Sequence, residues 1–357
     1  MPRRICTDAA AISVRTMPPP DFTFEAKSLT SAQRDTFTSD AKLAYSTLDK
    51  IRGELEIPAS ELRLIVTDDL AASVREHQRN AEEHFSPERP YGVVAAKNLP
   101  QDDEWQRVVI VFHAAAWSGH VGGQDRFHAL GLICHELAHP ILERQRRAAG
   151  VLKGTDRPCT PTEFVRSISR IGYDEYRADS MADIFLARTM SKTVEGVRSP
   201  AIMWDLDGPA LVDGLRVLLS RLYPLLPDAV QTYREWRLTL DELWAEVINQ
   251  SEGVVTGFAH ARAHADAVEP PPPLLNADGI RDLPFVGLFL RDTMPPYLDA
   301  MRTGAVLVPV SEFAEVDARV VVAGEGMLRE IWRRLGLTFT EVDGQREFGI
   351  HVGEPLR

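Results

Sequence analysis

An apolar run, Ala129, Leu130, Leu132, Ile133 and Cys134, leads directly into His135, Glu136 and, four residues after the first histidine, His139. No other stretch constrains the fold as tightly. The apolar flank requires burial, and a buried segment with two imidazoles and a carboxylate must supply partners for them. A helix is expected to begin near Asp125 and continue through Arg146. On such a helix, histidines four apart lie on one face, so their imidazoles can converge on a single ion. Glu136 is offset around the helix, beside the ion rather than bound to it, where it can take a proton from a water at the ion.

Two histidines do not complete a site. The extended form HExxHxxGxxH is absent, because Leu142 stands at its glycine and Gln145 at its last histidine. Downstream, the segment Tyr173, Asp174, Glu175, Tyr176, Arg177, Ala178 and Asp179 supplies Glu175 and Asp179 four apart on a second expected helix. Its small residues Ala178, Ala182 and Ala187 permit close packing against the first. One carboxylate of such a pair binds the ion, and the other accepts a hydrogen bond from a ligand imidazole and fixes its tautomer. The residues alone leave open which does which. Asp174 and Asp183 read as a solvated acidic face.

His135-Glu136-Leu137-Ala138-His139 followed by Glu175-Tyr176-Arg177-Ala178-Asp179 resembles the gluzincin pattern HExxH…ExxAD. Over residues 27–190 the chain is similar to the catalytic domains of HtpX-like and CAAX-protease-like peptidases and to the ImmA/IrrE-type metallopeptidases. The resemblance implies a mostly helical α+β fold with a zincin-like domain and one zinc ion per chain. It makes His135, His139 and Glu175 the ligands, Glu136 the general base and Asp179 the partner behind His135. The implied activity is that of a zinc-dependent endopeptidase acting on a protein or peptide. The alternative is a catalytically silent zincin-fold protein that binds or regulates a partner; the intact Glu136 weighs against it. A purely structural metal is disfavoured because three ligands leave a coordination position open. Two departures stand out. Pro140 follows the second histidine directly, so a kink or break is expected there. The membrane helices of the HtpX and CAAX-protease families are absent, which points to the ImmA/IrrE-like branch, although no N-terminal helix-turn-helix is evident.

The rest of the chain divides by composition into a flexible tail (1–25), the gluzincin-like domain (26–195), a helical extension (196–269), a proline linker (270–273) and a small α+β unit (274–357). Strands are expected at 61–67, 91–96, 108–112, 306–310, 318–322 and 348–352, with a polar loop at 97–107. Helices are expected at 31–55, 70–83, 163–171, 173–190 and 326–335, and over 209–267 with breaks at Pro224 and Pro227. The net charge of −12 opposes nucleic-acid binding through the overall field. No run reaches the roughly 18 apolar residues of a membrane span. Cys6, Cys134 and Cys159 form no CxxC pair, and Asp8 interrupts any signal-like segment, so the cytoplasm is the expected compartment. His260 and His264, also four apart, read as a helix face rather than a second metal site. One of them, or Tyr173, Tyr176 or Arg177, is a candidate donor to a transition-state oxyanion.

Overall fold

Glu61–Thr67 and Arg107–His113 are runs of aliphatic, largely β-branched residues, suited to strands buried on both faces. They pair in parallel at the centre of a small sheet, Leu62 opposite Val108 and Val66 opposite Phe112. The computed structural model describes residues 22–26, 29–79, 85, 88–89, 92–118, 124–151, 160–190, 202–304, 307–341 and 348–356. The order begins β1 (Phe22–Ala26), α1 (Ser31–Glu54), β2 (Glu61–Thr67), α2 (Leu70–His77), β3 (Glu88–Arg89), β4 (Gly92–Val93), β5 (Ala96–Pro100) and β6 (Arg107–His113). It continues with α3 (Ala115–Ser118), α4 (Gln124–Ala148), α5 (Pro161–Met190), α6 (Ile202–Arg234) and α7 (Leu240–Asp266). Last come α8 (Met294–Thr303), α9 (Val310–Arg334), β7 (Leu337–Glu341) and β8 (Phe348–Val352). The fold is α+β and mostly helical.

The main sheet has the order β1-β2-β6-β5, with β1 parallel to β2 and β5 antiparallel to β6. Because side chains alternate along a strand, Leu62, Leu64, Val66, Ile110 and Phe112 face α1 and α4, whereas Ile65, Val109 and Val111 face α2. α1 opens with a capping box formed by Thr30 and Gln33. It is tied to α4 by Asp40, which is 1% exposed and accepts two bonds from Arg126, at 2.6 and 3.2 Å. α5 forms the next layer: Ala178, Met181, Ala182 and Phe185 pack toward α4 and the sheet, while Tyr173 and Tyr176 join the cluster of α6, α7, α8 and α9. Two glycines set close approaches to α5 and α9. A Cβ at Gly172 would stand 2.3 Å from Val255, and one at Gly324 2.3 Å from the Ser169 hydroxyl.

Several expectations are met: the strands at 61–67 and 348–352 and the helix of the histidine motif all form. Others are corrected. Residues 22–25, read as tail, belong to β1; residues 1–21 lie outside the described residues. The hairpin partner of β6 is Ala96–Pro100 rather than 91–96, because Asp102 accepts from the backbone N–H groups of Gln106 and Arg107 and so closes the turn after residue 100. α2 ends at His77, short of residue 83. Residues 163–190 lie in one helix, not two. The strand expected at 318–322 lies inside α9. Its valines are β-prone locally, but Phe313, Val320, Val321, Met327, Leu328, Ile331 and Trp332 recur at helical spacing along the whole segment. No strand forms over the described residues 307–310.

Helices also continue through prolines. α6 runs through Pro224 and Pro227, where breaks were expected. Pro224 is exposed, so the carbonyl it frees can meet water, and Leu219, Leu222, Leu226 and Val230 hold the helix by their burial. α4 is likewise unbroken at Pro140, whose ring is buried. The prolines 270–273 precede elements whose side chains enter the same hydrophobic cluster as α6 and α7. Among the described residues no helix is long and apolar enough to cross a membrane.

Candidate metal centre

α4 turns its apolar residues, among them Ile133, Leu137 and Ala138, toward the sheet and α1. His135 and His139 project instead toward α5, which presents Glu175 and Asp179 one helical turn apart. The sense is antiparallel: His135 meets Asp179 and His139 meets Glu175. His135 Nε2 lies 3.1 Å from Glu175 Oε2 and 3.1 Å from His139 Nε2, and His139 Nε2 lies 3.7 Å from the same carboxylate oxygen. Among the described residues this is the group of three ligand side chains close enough to hold a metal ion, all within 4.8 Å of one another.

The chemistry of the donor set fits a cation. Ligands about 2.0–2.2 Å from a tetrahedral ion stand roughly 3.3–3.5 Å from one another, close to the separations seen here. Asp179 Oδ1 is 2.6 Å from His135 Nδ1. An ionised carboxylate only accepts, so the proton is on Nδ1 and the Nε2 lone pair of neutral His135 faces the acceptor Glu175. Lone pairs that converge in this way repel one another until a proton or a metal ion lies between them.

The neighbouring charges act in the same sense. Burial favours neutral His135, yet Asp179 and Glu175 outweigh it and raise its proton affinity well above the ordinary histidine value. Burial works against the Glu175 charge too, but His139, His135 and His260 push its carboxyl down to about 2. Asp179 is held well below its usual range against burial by His135, His260 and His264. His139, for which burial is the largest influence, is lowered.

Glu136 is 8% exposed, and Asn98 Nδ2 donates to its Oε2 at 2.5 Å. Asn98 comes from β5, the edge of the sheet. It falls in the stretch expected to be a polar loop; Ala96 and Leu99, three apart, bury on opposite faces of the sheet, so the segment carries no period-two signal for a strand.

The helix α7 adds a second pair of imidazoles. His260 Nδ1 is 2.6 Å from Asp179 Oδ2, so the two carboxylate oxygens of Asp179 each hold one histidine. His260 Nε2 lies 3.9 Å from Glu175 Oε2. One turn on, His264 Nδ1 is 2.7 Å from Asp183 Oδ2. The two histidines read as a helix face therefore line the acidic row of α5. Burial would lower both, but Asp179 outweighs it; His264 is pushed up to about 9. Asp183, expected to be solvated, is 5% exposed, because α7 covers it. Asp174, likewise expected to be solvated, accepts from the buried Arg146. The other candidate oxyanion donors are engaged elsewhere: Tyr173 with Gly304 O, Tyr176 with Asp266 and Arg177 with Gln145. Set against protein-family models, curated proteins and solved structures, the chain matches none.

Proposed function

We propose that this protein is a zinc-dependent endopeptidase of the zincin-like type. The observation that carries the reading is the convergence of ligand atoms from His135, His139 and Glu175 beside a Glu136 carboxylate held by Asn98. Two imidazoles and one carboxylate are a donor set for zinc, and three protein ligands leave a position open for substrate. Zinc bound there supplies a Lewis acid that polarises a scissile carbonyl and makes water a nucleophile near neutral pH.

The chain's own residues do the rest. Glu136 takes the proton of the attacking water and passes it to the leaving amine. Asp179 holds the Nδ1 proton of His135, which keeps the Nε2 lone pair of that ring directed at the ion. With its affinity for a proton raised by Asp179, His260 donates from Nε2 to the oxyanion that forms as the carbonyl becomes tetrahedral. The outer edge of β5 offers backbone groups to an extended peptide, which would lie alongside as an added strand.

Metal analysis paired with a peptide-library digest tests this reading. Purified protein should carry about one zinc per chain. Glu136→Gln should keep that zinc and lose most turnover, because the amide cannot accept the proton. A protein that takes up no zinc, or a Glu136→Gln variant that cleaves as fast as the parent, would overturn it.

A further inference from the structure

Asn98 reaches Glu136 because of its register. It stands opposite Ile110, on the face of the sheet that carries Val108, Ile110 and Phe112 toward α4, while its neighbour Leu99 packs on the α2 side. Only the N–H end of an amide can meet an ionised carboxylate, so Nδ2 faces Glu136. Its other end, Oδ1, is then buried with no hydrogen-bond partner among the described residues. A buried acceptor without a donor is disfavoured, and native structures keep few of them. A side chain serving packing alone would not need this arrangement, since an apolar residue would fill the space without it.

We infer that Asn98 is a positioning residue for the base: by holding Oε2, its Nδ2–H fixes the plane of the Glu136 carboxylate and leaves Oε1 as the oxygen that accepts the proton. This rests on the peptidase reading. It adds to that reading a mechanical link, since Asn98 lies on the edge strand to which an extended substrate would add. Docking of the substrate and alignment of the base then depend on the same five-residue strand.

The test uses the zinc-loaded full chain. Asn98→Ala should lower kcat about 10- to 100-fold, as a misplaced catalytic group does, with KM within about twofold of the parent. Metal content should be unchanged. Asn98→Asp, similar in shape but without a donor, should fall at least as far. In a Glu136→Asp background the shortened carboxylate no longer reaches the amide, so adding Asn98→Ala should change the residual rate less than about twofold. An Asn98 that merely supports the strand would lower the rate by the same factor in both backgrounds, which would overturn the inference, as would an unchanged kcat in Asn98→Ala. Crystal structures of parent and Asn98→Ala give a readout free of turnover. The parent should show the Asn98–Glu136 hydrogen bond and the variant a Glu136 carboxylate in a different or mixed orientation; an unmoved carboxylate would sink the idea. Absence of metal-dependent turnover in the parent would count against the peptidase reading instead, and the crystal pair alone would then decide whether Asn98 holds Glu136.

Discussion

The helices α4 and α5 carry two polar clusters that differ in where their positive charge comes from. In the first, His135, His139, Glu175 and Asp179 bring together imidazole lone pairs and carboxylates. In the second, further along α4, Arg146 is 0% exposed and donates to Glu143 at 2.5 Å and to Asp174. Asp317 of α9 lies 4.0 Å from the same guanidinium and accepts from Arg170 at 3.2 Å. Burial works against the Arg146 charge, but Asp174 and Glu143 outweigh it and raise its proton affinity above the ordinary value. A guanidinium is a permanent cation, so this cluster carries its positive charge as folded. Imidazoles are conditional ones, and the first cluster is complete only when a proton or a metal ion arrives. The His264–Asp183 pair stands between the two, with a proton as its cation.

Removing the fixed cation should have the largest effect. Arg146→Met takes this cation from Glu143, Asp174 and Asp317, leaving Glu143 with Arg147 and Asp317 with Arg170, and should lower the free energy of unfolding by about 3–5 kcal/mol, measured by urea denaturation. A loss under 1 kcal/mol, about the value of an exposed pair, would erase the contrast.

Next comes the proton-dependent pair. Folding raises the His264 proton affinity from the ordinary 6.5 to about 9. The stabilisation this brings is complete below pH 6.5 and fades as the pH climbs through 9, an upper bound of about 3 kcal/mol. His264→Gln keeps a donor but cannot titrate. Its unfolding free energy should therefore lack that decline, and the gap between parent and variant should narrow from pH 6.5 to 9. A constant gap would mean that His264 is neutral when folded.

The cluster of His135, His139 and Glu175 should respond to zinc. At free zinc about 100 times Kd, unfolding should cost about 2.7 kcal/mol more than in chelator. Glu175→Ala should abolish that increment, whereas Arg146→Met, if still folded, should retain it. An increment that survives in Glu175→Ala would place the ion elsewhere.

Smallest, and sharpest, is the division of labour between the two carboxylates of α5. Asp179→Ala should weaken zinc about 10- to 100-fold, about 1.4–2.7 kcal/mol, without removing it at saturation. Zinc titrations of Asp179→Ala and Glu175→Ala side by side measure this. If Asp179→Ala binds nothing while Glu175→Ala binds normally, the two roles are exchanged.

What the sequence determined by itself was whatever depends on neighbours within a few turns. His135 and His139, like Glu175 and Asp179, share a helix face because four residues are close to one turn, and β2 and β6 declare themselves through runs of β-branched residues. Tertiary structure decided the rest. Asn98 meets Glu136 across 38 residues and His260 meets Asp179 across 81, separations over which no local periodicity carries information. Asp174 and Asp183 look solvated in a list of residues; Asp174 is half-buried and paired, and Asp183 buried, only because Arg146 and α7 arrive beside them. Pro140, Pro224 and Pro227 should interrupt helices by local rules, and the packed apolar faces of α4 and α6 override them. Local propensity is worth tenths of a kcal/mol to a few kcal/mol at each residue. Burial summed over a helix face exceeds that, and burial is known only once the elements have met.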